Sequence, residues 1–258
     1  MLRDLLLREA IHFTLLFSRI AGFVLTSPFP GDRVPKSSRL GFALLLGFFV
    51  RSVDAGPKAG LSLDLALGPA TIRELTLGVL VGMVFRMFIA SADIGGEIAS
   101  QAIGLGSASV MNPLFGHNET VISRLFSLAG VLLALTSGAH RVVLAYLMES
   151  FAAVPVGSAY DTRAAVPALV DLFVESVSLG VRLGMPAVAV SVLVQLALAM
   201  VARVAPSLQI FNVGFAVLIA AGLLALGMTL PDVGARFVEQ TALVGTQLER
   251  VFLTATSR

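Results

Sequence analysis

Apolar residues run through this chain in blocks long enough to cross a bilayer, separated by short polar or proline-rich punctuation. A helix of ~20 such residues spans the hydrocarbon core. The first block runs from about Leu5 to Phe29, holds Arg8, Glu9, His12 and Arg19, and is ended by Pro28, Pro30 and Gly31. The second, Leu40 to Val50, follows the basic turn Arg33, Lys36, Arg39. It is about half a spanning length, which suits a buried or re-entrant helix. Gly56-Pro57 breaks the chain, and a third helix is predicted from near Pro69 to about Gln101, longer than a membrane requires. A fourth covers about Val121 to Phe151, and a polar loop from Pro155 to Pro167 follows it. The fifth run, Ala168 to Val204, is long, with a kink predicted at Pro186. Ala205-Pro206-Ser207 interrupts before a sixth run, Leu208 to Leu230. Pro231-Asp232 then opens a final amphipathic helix with Val233, Phe237, Val244, Leu248 and Val251 on one face. Hydropathy alone counts five or six spans, and no internal repeat is evident.

Composition fixes the class. Apolar residues make up 57% of the chain and charged residues 13%, against about 25% charged in a soluble domain. The reading is an all-α integral membrane-type helical bundle, organised as one compact domain over residues 1–258. A net charge of +2 with scattered basic residues gives no nucleic-acid footprint. Cysteine is absent, which removes disulfides, thiolate catalysis and cysteine metal sites. Tryptophan is absent too, so only Tyr146 and Tyr160 could form an interfacial belt, which is unusual for a bundle bathed in lipid. Residues 1–9 carry both signs of charge with no small-residue cleavage site after them, so no removable signal peptide is expected. Basic residues flank the second segment on both sides, at Arg33, Lys36 and Arg39 and again at Arg51 and Lys58, and leave topology open.

The chemistry gathers between Arg86 and Asn118. Arg86, Asp93, Glu97 and Gln101 are spaced seven, four and four apart, which lines them along one helix face. Charge on an apolar helix costs roughly 2.5–3.5 kcal/mol per group on insertion scales. The stripe therefore reads either as a face turned to an aqueous passage or polar subunit seam, or as a helix end leaving the apolar zone with Arg86 paired internally. Directly after it comes Gly104-Leu105-Gly106-Ser107-Ala108-Ser109, ending at Asn112-Pro113. Non-helical backbone at membrane depth survives only when covered by protein or facing a watery cavity. The run reads as a gate element, or as an ordinary interhelical turn. It is no phosphate loop, since it lacks the third glycine and the Gly-Lys-Ser/Thr ending.

Other polar features are weaker. Gly78/Gly82 and Gly180/Gly184 have the small-residue spacing that lets membrane helices pack closely. Gln195 reads as an interhelical hydrogen bond, Arg203 as a snorkelling end-of-helix cation, and Arg141 as the mark of a helix bend or interface. His12, His117 and His140 lie in separate segments without metal-ligand spacing, and Asp93 and Glu97 read as stripe members rather than an acid–base pair. No catalytic set, metal site or cofactor motif emerges.

Three stretches of the chain together resemble the FliR family of flagellar export-gate proteins and its type III secretion relatives, the SctT proteins. The first is Phe17-Ser18-Arg19-Ile20-Ala21-Gly22 with Thr26-Ser27-Pro28-Phe29, followed by the basic turn and the Leu40 segment. The second runs from Gly104 to Pro113, then through Ser137-Gly138-Ala139-His140 and Glu149-Ser150-Phe151 to Val154-Pro155-Val156-Gly157. The third is Ala202-Arg203-Val204-Ala205-Pro206-Ser207-Leu208-Gln209-Ile210-Phe211 with Asn212-Val213-Gly214-Phe215. Order and spacing match over nearly the whole length.

The resemblance implies a non-enzymatic subunit of the bacterial flagellar export channel in the inner membrane, through which unfolded flagellar proteins pass. It implies FliP and FliQ subunits as partners in a helical assembly, with FlhB around its closed entrance. It also implies a FliP-like part over residues 1–165 and a FliQ-like hairpin over 168–258, with the hairpin turn at Arg203 and Pro206. The family's pore plug carries over to Gly106–Glu119, which includes Gly106, Ser107, Asn112 and Pro113. Family members often have aromatics where Ser107 and Val110 stand, an aspartate where Asn112 stands, and a proline where Ala216 stands. A seal here would thus fall to Val110, Met111, Leu114 or Phe115. Two alternatives share part of this pattern. An injectisome subunit has the same mechanism with other substrates. A small-solute transporter using the stripe as its binding site would need inverted repeats, which the sequence lacks.

Overall fold

A computed structural model describes residues 2–28, 34–53, 67–105, 120–158, 165–204 and 210–256. Every element among them is helical: α1 (Leu2–Thr26), α2 (Lys36–Val53), α3 (Leu67–Ala102), α4 (Val121–Thr136), α5 (Ala139–Ala153), α6 (Val166–Val204) and α7 (Ile210–Thr256). The all-α membrane-type fold expected from hydropathy is what forms. Among the described residues, three helices are long and apolar enough to cross a membrane, namely Leu6–Thr26, α3 and α6; a fourth span results if the broken pair α4–α5 counts as one. That is fewer than the five or six apolar runs of the sequence.

Three boundaries differ from the sequence reading. The run from 121 to 151 is two helices, because Gly138 sits at φ 81° and stops the helical ladder after Ser137. Arg141, read as a bend marker, lies just past the break with its guanidinium against Gly138. Conversely, Pro231 does not start a new helix but lies inside the 47-residue α7. A proline removes one hydrogen bond and crowds one turn, and a helix this long keeps its ladder on both sides. The second helix also begins earlier than expected and takes in Lys36 and Arg39.

The chain divides into two compact units. One comprises Met1–Met87, Gly138–Phe173 and Ala242–Arg258; the other comprises Phe88–Ser137 and Val174–Thr241. In the first unit, α1 and α3 cross at a seam of glycines. Gly22 lies against Leu75 and Val79, Gly78 against the Arg19 carbonyl, and Gly82 against Thr26 and Phe23. Side chains there would hold the backbones apart, so the Gly78/Gly82 spacing is a true helix contact. Leu15, Leu16, Ile20 and Val24 of α1 and Leu77, Val81 and Val84 of α3 are buried. Helix α2 docks on α1 through Phe48 on Phe13, centroids 5.0 Å apart, and through the Arg51–Glu9 ion pair at 2.6 Å.

In the second unit, Gly180 and Gly184 of α6 receive Ile94 and Ile98 of α3, and Gly95 of α3 meets Leu183 of α6. Gly96 receives Phe126 of α4. Ala99, Ile103, Ile122, Phe126, Ala187 and Leu226 form the core between these helices and α7. Gln195, read as an interhelical hydrogen bond, is instead exposed on α6.

Candidate functional site

The polar stripe lies on α3 as the spacing requires. Gly95 marks the face that meets α6, and at 100° per residue Asp93 and Glu97 point roughly 160° away from it. Gln101 and Arg86 are exposed, while Asp93 and Glu97 are half-buried. The Gln101 amide donates to Glu97 Oε1 at 2.9 Å, one turn apart, so two stripe members form one hydrogen-bonded step along the helix. Gly95, Gly96 and Ala99 sit at the close contacts of α3 with α6 and α4, while the stripe is half-buried at Asp93 and Glu97, with Asp93 Oδ1 enclosed.

The helix then stops by design of its sequence. Gly104 adopts φ 87°; its N–H reaches the Gln101 carbonyl at 3.0 Å, and the Leu105 N–H reaches the Ser100 carbonyl at 3.1 Å. These paired bonds are a Schellman stop, which satisfies carbonyls a helix end would otherwise leave open. Leu105 packs back onto the cluster that contains Ala99 and Ile103. The stripe thus ends at a fixed point, immediately before the segment the resemblance identifies as a plug. That segment, with Gly106, Ser107, Val110, Met111, Asn112, Pro113, Leu114 and Phe115, lies outside the described residues, as does Pro206. Arg203 is exposed in the last turn of α6.

A second polar centre went unrecognised in the sequence. Arg19 of α1 is fully buried, and its Nε donates to Glu74 Oε2 of α3 at 2.6 Å. Its Nη1 donates to the Ser150 carbonyl at 2.8 Å and its Nη2 to the Val154 carbonyl at 2.9 Å. The Phe151 ring lies under the guanidinium, 4.5 Å from ring centroid to Cζ. Glu74 Oε1 accepts the Gly157 N–H at 2.8 Å. Local sequence builds each part. Pro155 holds Val154 extended, ending α5 and freeing its carbonyl. Gly157, at φ 83°, turns the chain back toward Glu74, and Ser158 N–H closes the turn on the Pro155 carbonyl at 3.0 Å. Gly78, one turn beyond Glu74, brings α3 close enough to α1 for the pair to form. Two stretches that carry the family resemblance, Phe17–Gly22 and Glu149–Gly157, therefore meet at one ion pair. The spacing offered no hint of Glu74, which sits beside Arg73 near a helix start like a solvated charge.

At this centre Arg19 and Glu74 are taken up by internal partners. Among the described residues, no group of three or more His, Asp or Glu side chains is placed to hold a metal ion. Fold and site together define an all-helical membrane-type protein in which, among the described residues, polar groups line one helix and tie helices together. The sequence matches the family described as bacterial export proteins, family 1, over residues 10–243, and the chain belongs to that family. Its relatives include the flagellar biosynthetic protein FliR of Caulobacter vibrioides, 30% identical over 221 residues that cover 85% of this chain and 88% of the relative. The protein of the same name from Aquifex aeolicus is 31% identical over 88% of this chain and 89% of its own length. That of Bacillus subtilis is 30% identical over 83% and 84%.

Proposed function

We propose that this chain is a non-enzymatic subunit of the flagellar type III export gate in the bacterial cytoplasmic membrane. The observation that carries the reading is the family match over residues 10–243, which takes in every helix described except the N-terminal turns of α1 and the end of α7. In this reading the chain assembles with FliP and FliQ subunits and with FlhB, and unfolded flagellar proteins pass through the assembly. Residues 1–165 form its FliP-like part and 168–258 its FliQ-like hairpin, turning at Arg203 and Pro206. The stripe of Arg86, Asp93, Glu97 and Gln101 faces the aqueous passage or a polar seam between subunits. The segment 106–119 is the plug, sealed by Val110, Met111, Leu114 or Phe115. The Schellman stop supports this: it ends α3 at Gly104 and Leu105, directly before the segment proposed as the plug.

Clean deletion tests the function, and truncation tests the plug. Deletion is expected to abolish flagella, and normal motility afterwards would sink the proposal. Removal of 106–119 is expected to make the membrane leak ions in cells that still assemble the gate. A tight membrane in such cells would leave the plug role without support and the subunit role intact.

A further inference from the structure

Within the second unit, α7 takes hold of the last turn of α3. Ile103 follows directly on the helix, is fully buried, and enters a notch at Gly222, where any side chain would run into it. Seven residues earlier on α7, Phe215 and Leu218 lie over Gly104. A Cβ on that glycine would stand 3.2 Å from Phe215 Cε2 and 3.6 Å from Leu218 Cδ2. Phe215, Leu218, Gly222 and Leu226 are spaced three, four and four apart, so one face of α7 makes all of these contacts. Ile219 packs on the same core cluster as Leu105. Two points of grip about 10 Å apart along α7 set the direction of the last turn as well as its place.

The stop needs this support because its own clasp is poor. A Schellman stop is usually closed by an apolar contact from the residue after the glycine to one five or six positions before it. Here those positions are Ser100 and Ala99, a hydroxyl and a single methyl. Ser100 is fully buried and its Oγ has no hydrogen-bond partner, so it burdens the stop rather than closing it. The closing surface comes instead from α7. Phe215 is still 43% exposed, so its ring adds little to the core of the unit. Next to it, Gly214 lies against Leu198 of α6, which ties this end of α7 to the neighbouring helix. We infer that Phe215 is a positioning residue for the end of α3: its ring over Gly104, with Ile103 seated at Gly222, sets where the chain leaves the helix at Leu105. This rests on the export-gate reading, in which the segment that leaves there is the plug, and it makes α7 the element that holds the plug's base.

The test uses the full chain co-expressed with the other gate subunits. Amide hydrogen exchange in the purified assembly reads the stop directly, through a peptide covering 99–105. Phe215→Ala is expected to speed exchange there at least tenfold and to leave peptides within 88–97 unchanged, with chain abundance within twofold of wild type. In cells the same variant should leak ions at no less than a third of the rate produced by removing 106–119. Phe215→Met, which keeps an apolar side chain of similar reach, should bring both readouts back to within twofold of wild type. Leu224→Ala, roughly 180° round α7 and 68% exposed, should change neither. If Phe215→Ala does not accumulate, Leu218→Ala, which removes the second side chain over Gly104, is held to the same two readouts. Unchanged exchange at 99–105 overturns the inference. Equal acceleration along the whole of α3 also overturns it, since Phe215 would then be an ordinary packing residue. So does faster exchange with a tight membrane, in cells where removal of 106–119 leaks. A membrane that stays tight even after that removal overturns the plug reading instead, and exchange alone then decides whether Phe215 places the end of α3.

Discussion

Arg19 shows how one residue can hold three helices in register. A buried guanidinium is tolerable only when paired and hydrogen-bonded, and here Glu74, Ser150, Val154 and the Phe151 ring surround it. Removing one partner of such a pair costs on the order of 3–5 kcal/mol, because the remaining charge stays buried. Glu74→Leu is therefore expected to lower the thermal midpoint in detergent sharply, followed by far-ultraviolet circular dichroism. Adding Arg19→Met should recover part of the loss, since the uncompensated charge is gone. Recovery should stay incomplete, because the Val154 carbonyl and the Gly157 N–H would lose the partners they have here. Full recovery would mean the backbone bonds contribute little. The residues of this centre were only half legible beforehand. Arg19, Ser150 and Gly157 stand out through the family resemblance, but Glu74 does not. Its partner is 55 positions away, and no periodicity of one chain links sites at that distance.

At the scale of elements, small residues decide where helices approach and where they stop. A methyl group at Gly78 would strike the Arg19 carbonyl and the backbone at Phe23. Gly78→Ala should force α1 and α3 apart and cost about 1–3 kcal/mol by overpacking. The displacement also loosens the Arg19–Glu74 bond, so Gly78→Ala and Glu74→Leu should be less than additive in the same melting assay. Gly104→Ala should cost roughly 1–2 kcal/mol for the left-handed backbone, with further crowding from Phe215 at 3.2 Å. Gly104→Asn should be milder on the backbone account, since asparagine tolerates that conformation. Helix positions were legible from apolar run length, because burial sets both. The break at Ser137–Gly138 and the continuity through Pro231 were not. A single glycine, here between Ser137 and Ala139 inside a long helical run, does not announce a positive φ, and a proline does not reveal how much ladder survives on either side.

For the whole molecule, α3 matters most because its segments belong to both compact units and it carries the polar stripe. Two accounts of that stripe divide on one point. If it is merely a helix end leaving an apolar zone, then no function needs its carboxylates, and apolar replacements should be harmless or stabilising. If it borders an aqueous passage or polar seam, apolar replacements should disturb export while leaving the scaffold intact. Gly95, which meets α6, lies on the opposite side of α3 from Asp93 and Glu97, so stripe substitutions need not disturb that contact. Glu97 also shares its hydrogen bond with Gln101, one turn along the same helix. We therefore expect Asp93→Leu with Glu97→Leu to lower flagellar protein in the culture medium at least tenfold, with chain abundance by immunoblot within twofold of wild type. Asp93→Asn with Glu97→Gln should retain more export, because polarity survives when charge is lost. Export within twofold of wild type in the double leucine variant would return the stripe to the status of a helix end. A fall in both export and abundance would instead assign the two carboxylates to the scaffold, alongside Arg19 and Glu74.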